Sequence, residues 1–101
     1  MTSNFMIKCS ELNDSNIILT CDLPWSQEDI PDLIAQILTQ YRDIQLLEQI
    51  EGADRVVVRL LWQHSHFCLH FECYSEAIWL DAEDDGAKMK LALLYQHLLG
   101  K

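Results

Sequence analysis

"RVVVRLLWQHSHFCLHFECYSEAIWLDA", residues 55–82, repeats an apolar residue at every second position. Val56, Val58, Leu60 and Trp62 form one set, Phe67, Leu69, Phe71 and Cys73 a second, and Ile78 and Leu80 a third. A period of two is the signature of strands with one buried face, and the polar breaks near His64 and Ser75 divide the stretch into three of them. A turn centred on His64 and Ser65 pairs Trp62 with Phe67, Leu60 with Leu69, Val58 with Phe71 and Val56 with Cys73. A second turn, centred on Ser75 and Glu76, sets Ile78 opposite Cys73 and Leu80 opposite Phe71. Every pair is then apolar on apolar, the condition under which a buried face selects a register.

On the amino-terminal side, "FMIKC" and "NIILTCDL" read as two further strands. Asn13, Asp14, Ser15 and Asn16 supply the turn between them, and Ile17, Leu19, Cys21 and Leu23 share one face. In "LPWSQEDIPDLIAQILTQYR", Ile30, Leu33, Ile34, Ile37, Leu38 and Tyr41 fall at helical spacing. Ser26 and Asp29 stand as a capping box, with Trp25 placed to staple onto Ile30. Pro31 conflicts with a cap at Ser26, because proline past the first turn removes a helical donor; a cap at Glu28 or Asp29 after an irregular turn removes the conflict. Residues 43–51, "DIQLLEQIE", fit strand or helix, and the tight turn "EGAD" that follows favours strand. A second helix is expected from about Asp84 to Leu99, with Ala87, Leu91, Leu94, Tyr95 and Leu98 inward and Gly100 as the stop. The predicted order is β-β-α-β-β-β-β-α. That describes a single α+β domain over residues 1–101, a two-layer arrangement of an antiparallel meander with both amphipathic helices on one face.

The totals narrow the function classes. Sixteen acidic and seven basic side chains give a formal charge of −9 over 101 residues. Phosphate backbones and anionic membranes are held by clustered Lys and Arg, so neither nucleic acid nor a membrane surface is the expected partner. A nucleic-acid mimic is a remote reading, because the acids are not spaced like phosphates. No apolar run approaches the ~20 residues that span a bilayer, and the amino terminus lacks a signal-peptide pattern. Cys9, Cys21, Cys68 and Cys73 show no C-x-x-C spacing, and free thiols in a cytoplasmic protein are expected.

Three of the four histidines and two of the four cysteines lie in residues 61–74. Read by strand face, His66, Cys68, His70 and Glu72 form one outward row, with Arg59 and Asp81 flanking His70 and His64 in the turn. His66, Cys68 and His70 are the candidate metal ligands, but they run ~14 Å along a straight strand, and one ion with bonds near ~2.0–2.3 Å does not reach all three. Cys68 as a nucleophile would need a contacting base, an orienting group and an oxyanion site, and the chain has no Gly-rich loop to build one. "DAEDDG", residues 81–86, opens like a calcium loop, yet position eight is Lys88 and position twelve Ala92. The plain reading is an acidic helix start. No cofactor is expected.

What remains is the outward face itself. Trp79, Tyr74, Leu61, Arg59 and His70 are the candidate interface residues, since aromatics and arginine are enriched where proteins dock. The equal alternative is a face covered internally, by the amino-terminal hairpin or by one of the helices. The expected function is a non-catalytic protein-binding domain, such as an adaptor, small chaperone or immunity-type partner, binding another protein or a second copy. The alternative is a metal-dependent or thiol enzyme centred on residues 66–72. The segments "GADRVVVRLLW", "FCLHFECYSEAIWLDA" and "LPWSQEDIPDLIAQ" together resemble a family of small gamma-proteobacterial proteins, a domain of unknown function. The resemblance implies a bacterial, cytosolic setting and supplies no site residues.

Overall fold

The computed structural model describes residues 6–100, and six strands and three helices follow in the expected order. The strands are β1 (Ile7–Leu12), β2 (Asn16–Cys21), β3 (Gln45–Glu51), β4 (Arg55–Trp62), β5 (Ser65–Glu72) and β6 (Ala77–Ala82). The helices are α1 (Ile30–Gln40), α2 (Asp85–Lys88) and α3 (Leu91–Leu99). All six strands join one antiparallel sheet in the spatial order β1-β2-β6-β5-β4-β3. The meander therefore runs only from β3 to β6. The β1–β2 hairpin adds to the free edge of β6, and α1 carries the chain from there to the opposite edge. Phe5, at the head of the first expected strand, lies outside the described residues.

The layers follow from the apolar periodicities. Ile17, Leu19, Val56, Val58, Leu60, Trp62, Phe67, Leu69, Phe71, Ile78 and Leu80 are buried on one face of the sheet. Against them lie Ile30, Leu33, Ile34, Ile37 and Tyr41 from α1 and its end, then Ala87, Leu91, Leu94 and Leu98. These side chains form one continuous core. Trp25 meets Phe71 edge-on, with centroids 5.9 Å apart at 88°, a favoured aromatic geometry. The Tyr41 hydroxyl donates to the Leu98 carbonyl at 3.1 Å, joining the two helical segments above the sheet.

Helix starts settle the proline conflict. Gln27–Asp29 form a short 3₁₀ turn, and α1 begins at Ile30, so Pro31 sits in its first turn, where no helical donor is needed. The Ser26 amide donates to Asp29 Oδ2 at 2.9 Å, completing the expected box on the 3₁₀ turn. The second helix differs from expectation by a break at Met89 and Lys90, which separates α2 from α3. Asp84 caps α2, accepting the Ala87 amide at 2.8 Å, so the acidic run is a helix start as expected.

The register is a correction. The pairs are Leu60–Phe67, Val58–Leu69 and Val56–Phe71, with Trp62 opposite Ser65, two residues from the expected alignment. On the other side Leu69 pairs with Leu80 and Phe71 with Ile78, again displaced by two. A shift of two keeps every side chain on its own face, so apolar pairing does not distinguish the alternatives. The turn does. Gln63 and His64 have φ of 50° and 64°, giving a two-residue loop of the primed type that matches strand twist, in place of the longer turn around His64 and Ser65. Cys73 leaves the strand for the β5–β6 turn, where its amide donates to the Asp54 carbonyl at 2.9 Å and its side chain packs partly on the core. Tyr74 follows it, 84% exposed, at the turn and not on the strand.

Candidate functional site

Side chains that alternate with the core row point to the opposite face of the sheet. There the registers line up one residue from each of five strands: Ile18, Trp79, His70, Val57 and Ile50. A parallel row beside it reads Asn16, Asp81, Cys68, Arg59 and Glu48. His66 stands opposite Leu61, one step further along. The first row is apolar except for His70, the second polar throughout except for the thiol.

His70 is held on two sides. Its ring lies flat on Trp79, centroids 4.7 Å apart and 4° from parallel, and its Nε2 is 3.1 Å from Asp81 Oδ1. The Nδ1 atom is buried with no hydrogen-bond partner among the described residues. Asp81 was expected to face His70 directly; it faces Cys68 and reaches His70 on the diagonal. Arg59 likewise faces Cys68 and not His70.

Arg59 forms a clamp across the face. Its Nε and Nη2 donate to Glu83 at 2.7 and 3.0 Å, a bidentate pair, and its Nη1 donates to Glu48 at 3.0 Å. Those hydrogen bonds hold the Glu83 carboxyl below the usual range and raise the guanidinium further. Cys68 lies beneath this clamp, its thiol donating to Glu83 Oε2 at 3.4 Å. Burial first, then Glu83 and Asp81, push the thiol up to about 12. A thiol so placed is no resting nucleophile, since reactive cysteines need the thiolate near neutral pH. Cys68, His70 and Asp81 nevertheless bring a sulfur, a ring nitrogen and a carboxylate oxygen within 4.8 Å of one another. His66, the third ligand candidate from the sequence, is not in that group.

Of the interface candidates, Trp79, His70, Leu61 and Arg59 share the outward face, partly exposed, whereas Tyr74 stands at its margin. Glu83 went unrecognised because it belongs to the acidic run, and nothing local in the sequence ties it to Arg59. A second histidine cluster was missed as well. His97 Nε2 lies 3.0 Å from Asp43 Oδ1, and Trp62 Nε1 donates to Asp43 Oδ2 at 3.3 Å. Burial pushes the Asp43 carboxyl up, but the His97 and Trp62 hydrogen bonds outweigh it and leave the group lowered. This contact ties the end of α3 to the α1–β3 loop.

A family model described as Protein of unknown function (DUF3630) matches residues 5–98. The chain belongs to that family. No curated protein and no solved structure matches it. In this DUF3630 chain the match takes in all six strands, and with them both outward rows. The family description names no activity, so the roles of DUF3630 residues here rest on geometry. Among the described residues, no helix is long and apolar enough to cross a membrane.

Proposed function

We propose that this chain is a cytoplasmic, non-catalytic protein-binding domain that docks through the open face of its sheet, with Trp79 at the centre. The row Ile18, Trp79, His70, Val57 and Ile50 carries this reading: it crosses five strands and, among the described residues, α1 and α3 both pack on the opposite face. Ile50, 49% exposed at the β3 edge and paired with Val57, extends the apolar strip to the rim of the sheet. An apolar centre flanked by Glu48, Asp81 and Glu83 fits a partner with an apolar patch and a basic border. The charge of −9 favours the same complement and disfavours nucleic acid. A thiol enzyme is the weaker reading, because burial and Glu83 hold Cys68 protonated.

The test is affinity capture from a lysate of cells that encode the chain, comparing wild type with Trp79→Ala. One protein, or a second copy of the chain, is expected to be retained by wild type and reduced at least tenfold with the variant, as for a central interface aromatic. Retention of the same protein by both would place the contact elsewhere, and retention of none would remove the support.

A further inference from the structure

We propose that Cys68, His70 and Asp81 form a binding site for a soft divalent transition metal, with zinc the ion best matched to the set. Cys68 and His70 share a face two residues apart on β5, and Asp81 stands directly across from Cys68 on β6. Two strands thus close a triangle that a single strand cannot. The ligand atoms already lie within 4.8 Å of one another. Bonds of about 2.0–2.3 Å in a tetrahedral site correspond to ligand separations of about 3.3–3.8 Å, so the ligand atoms have at most roughly 1–1.5 Å to close. His66 is excluded by direction, since it lies beyond Cys68 with Leu61 opposite.

The donor set decides the class of ion. Thiolate, imidazole nitrogen and carboxylate suit zinc and its spectroscopic substitute cobalt, whereas calcium and magnesium take oxygen ligands. The His70 ring is already oriented by its stack on Trp79, with Nε2 at 3.1 Å from Asp81 Oδ1. On binding, the Cys68 thiol loses its proton to solvent as the metal–sulfur bond forms. The Nε2 proton that His70 shares with Asp81 must also leave, to solvent from a cationic ring or by exchange to Nδ1 in a neutral one. The freed Nε2 lone pair then faces the ion, and Asp81 exchanges its hydrogen bond for a metal bond. The carboxylates of Asp81 and Glu83, which help keep the thiol protonated without a cation, favour the charged complex once a dication is present.

Two features weaken the site. Nδ1 of His70 has no acceptor among the described residues, and an orienting outer partner contributes about 10–100-fold in affinity. Arg59 also holds Glu83, whose Oε2 is 3.4 Å from Cys68 Sγ, so the fourth position falls to water unless that pair opens. Asp81 is 37% exposed at its side chain, which leaves the ion a path inward. The inference is separate from the docking proposal, and either can fail alone.

The experiment is a cobalt(II) titration of reduced, chelator-stripped protein carrying no affinity tag, followed by zinc displacement. Saturation at one equivalent is expected, with an intense near-ultraviolet thiolate–cobalt band that zinc removes. Cys68→Ser should abolish the band, and His70→Ala and Asp81→Asn should each weaken binding at least tenfold, while His66→Ala and Cys73→Ser stay within twofold. Circular dichroism of each metal-free variant shows whether the fold is kept. Absence of saturable binding by the folded wild type would overturn the proposal. So would a band that survives in Cys68→Ser, or an equal loss in folded His66→Ala.

Discussion

Cys68 and Arg59 are bound together through Glu83, and each reports on the others. At pH 8 a thiol at about 12 is ionised to about one part in 10⁴. The higher intrinsic nucleophilicity of a basic thiolate recovers part of that deficit, so metal-free Cys68 should alkylate roughly ten- to a hundredfold more slowly than free cysteine. Glu83→Gln removes an acceptor and a negative charge, and the rate at Cys68, read by mass spectrometry, should rise. A second prediction concerns Glu83 itself, whose carboxyl is depressed in the folded chain by Arg59. A depressed carboxyl contributes stability above its unfolded value, about 4.3, and that contribution is lost as pH falls through the folded value. Arg59→Met should therefore raise the Glu83 titration midpoint toward the ordinary range in carboxyl NMR, and flatten the acid-side loss of stability. An unchanged midpoint would mean that the Arg59–Glu83 pair is not held in solution.

The β4–β5 hairpin owes its register to two residues with unfavourable backbone angles. Gln63 and His64 both have positive φ, where a residue with a Cβ is strained by about 1–2 kcal/mol. Lys90 Nζ donates to the Gln63 carbonyl at 2.7 Å, so the break between α2 and α3 is anchored at this same turn. Replacing the pair by Asn-Gly, the preferred residues for such a loop, should raise stability by about 0.5–1 kcal/mol in thermal or denaturant unfolding. A loss of stability would contradict the two-residue turn. This hairpin also shows what the amino-acid pattern carries. Alternation assigns Val56, Val58, Leu60, Phe67, Leu69 and Phe71 to the core face, and all six are buried. It leaves the alignment open to a shift of two, because such a shift exchanges one apolar pair for another. Glutamine and histidine do not announce a left-handed turn as Asn-Gly would. Contacts such as Arg59 to Glu83 and His97 to Asp43 depend on that alignment and on helix docking, so strand periodicity alone contains neither.

Across the molecule the two sheet faces differ in burial, and the proposed docking surface lies on the less buried one. Phe67 and Phe71 are fully buried between sheet and helices, and truncating either to alanine should cost about 3–5 kcal/mol. Trp79 and Val57 lie on the opposite face, only partly buried, so substitutions there should leave much more of the folded stability in place. Equal losses on both faces in urea unfolding would deny that contrast. The central claim is that the face carrying Trp79 meets another protein. It is tested most directly by placing a photo-crosslinking amino acid at Val57, at Trp79 and, on the helical side, at Leu93, which is 59% exposed, and irradiating cells that make each form. The account predicts one discrete adduct, with another protein or with a second copy of the chain, from positions 57 and 79 and none from 93. An adduct from position 93 alone, or no adduct from the sheet face, would contradict it.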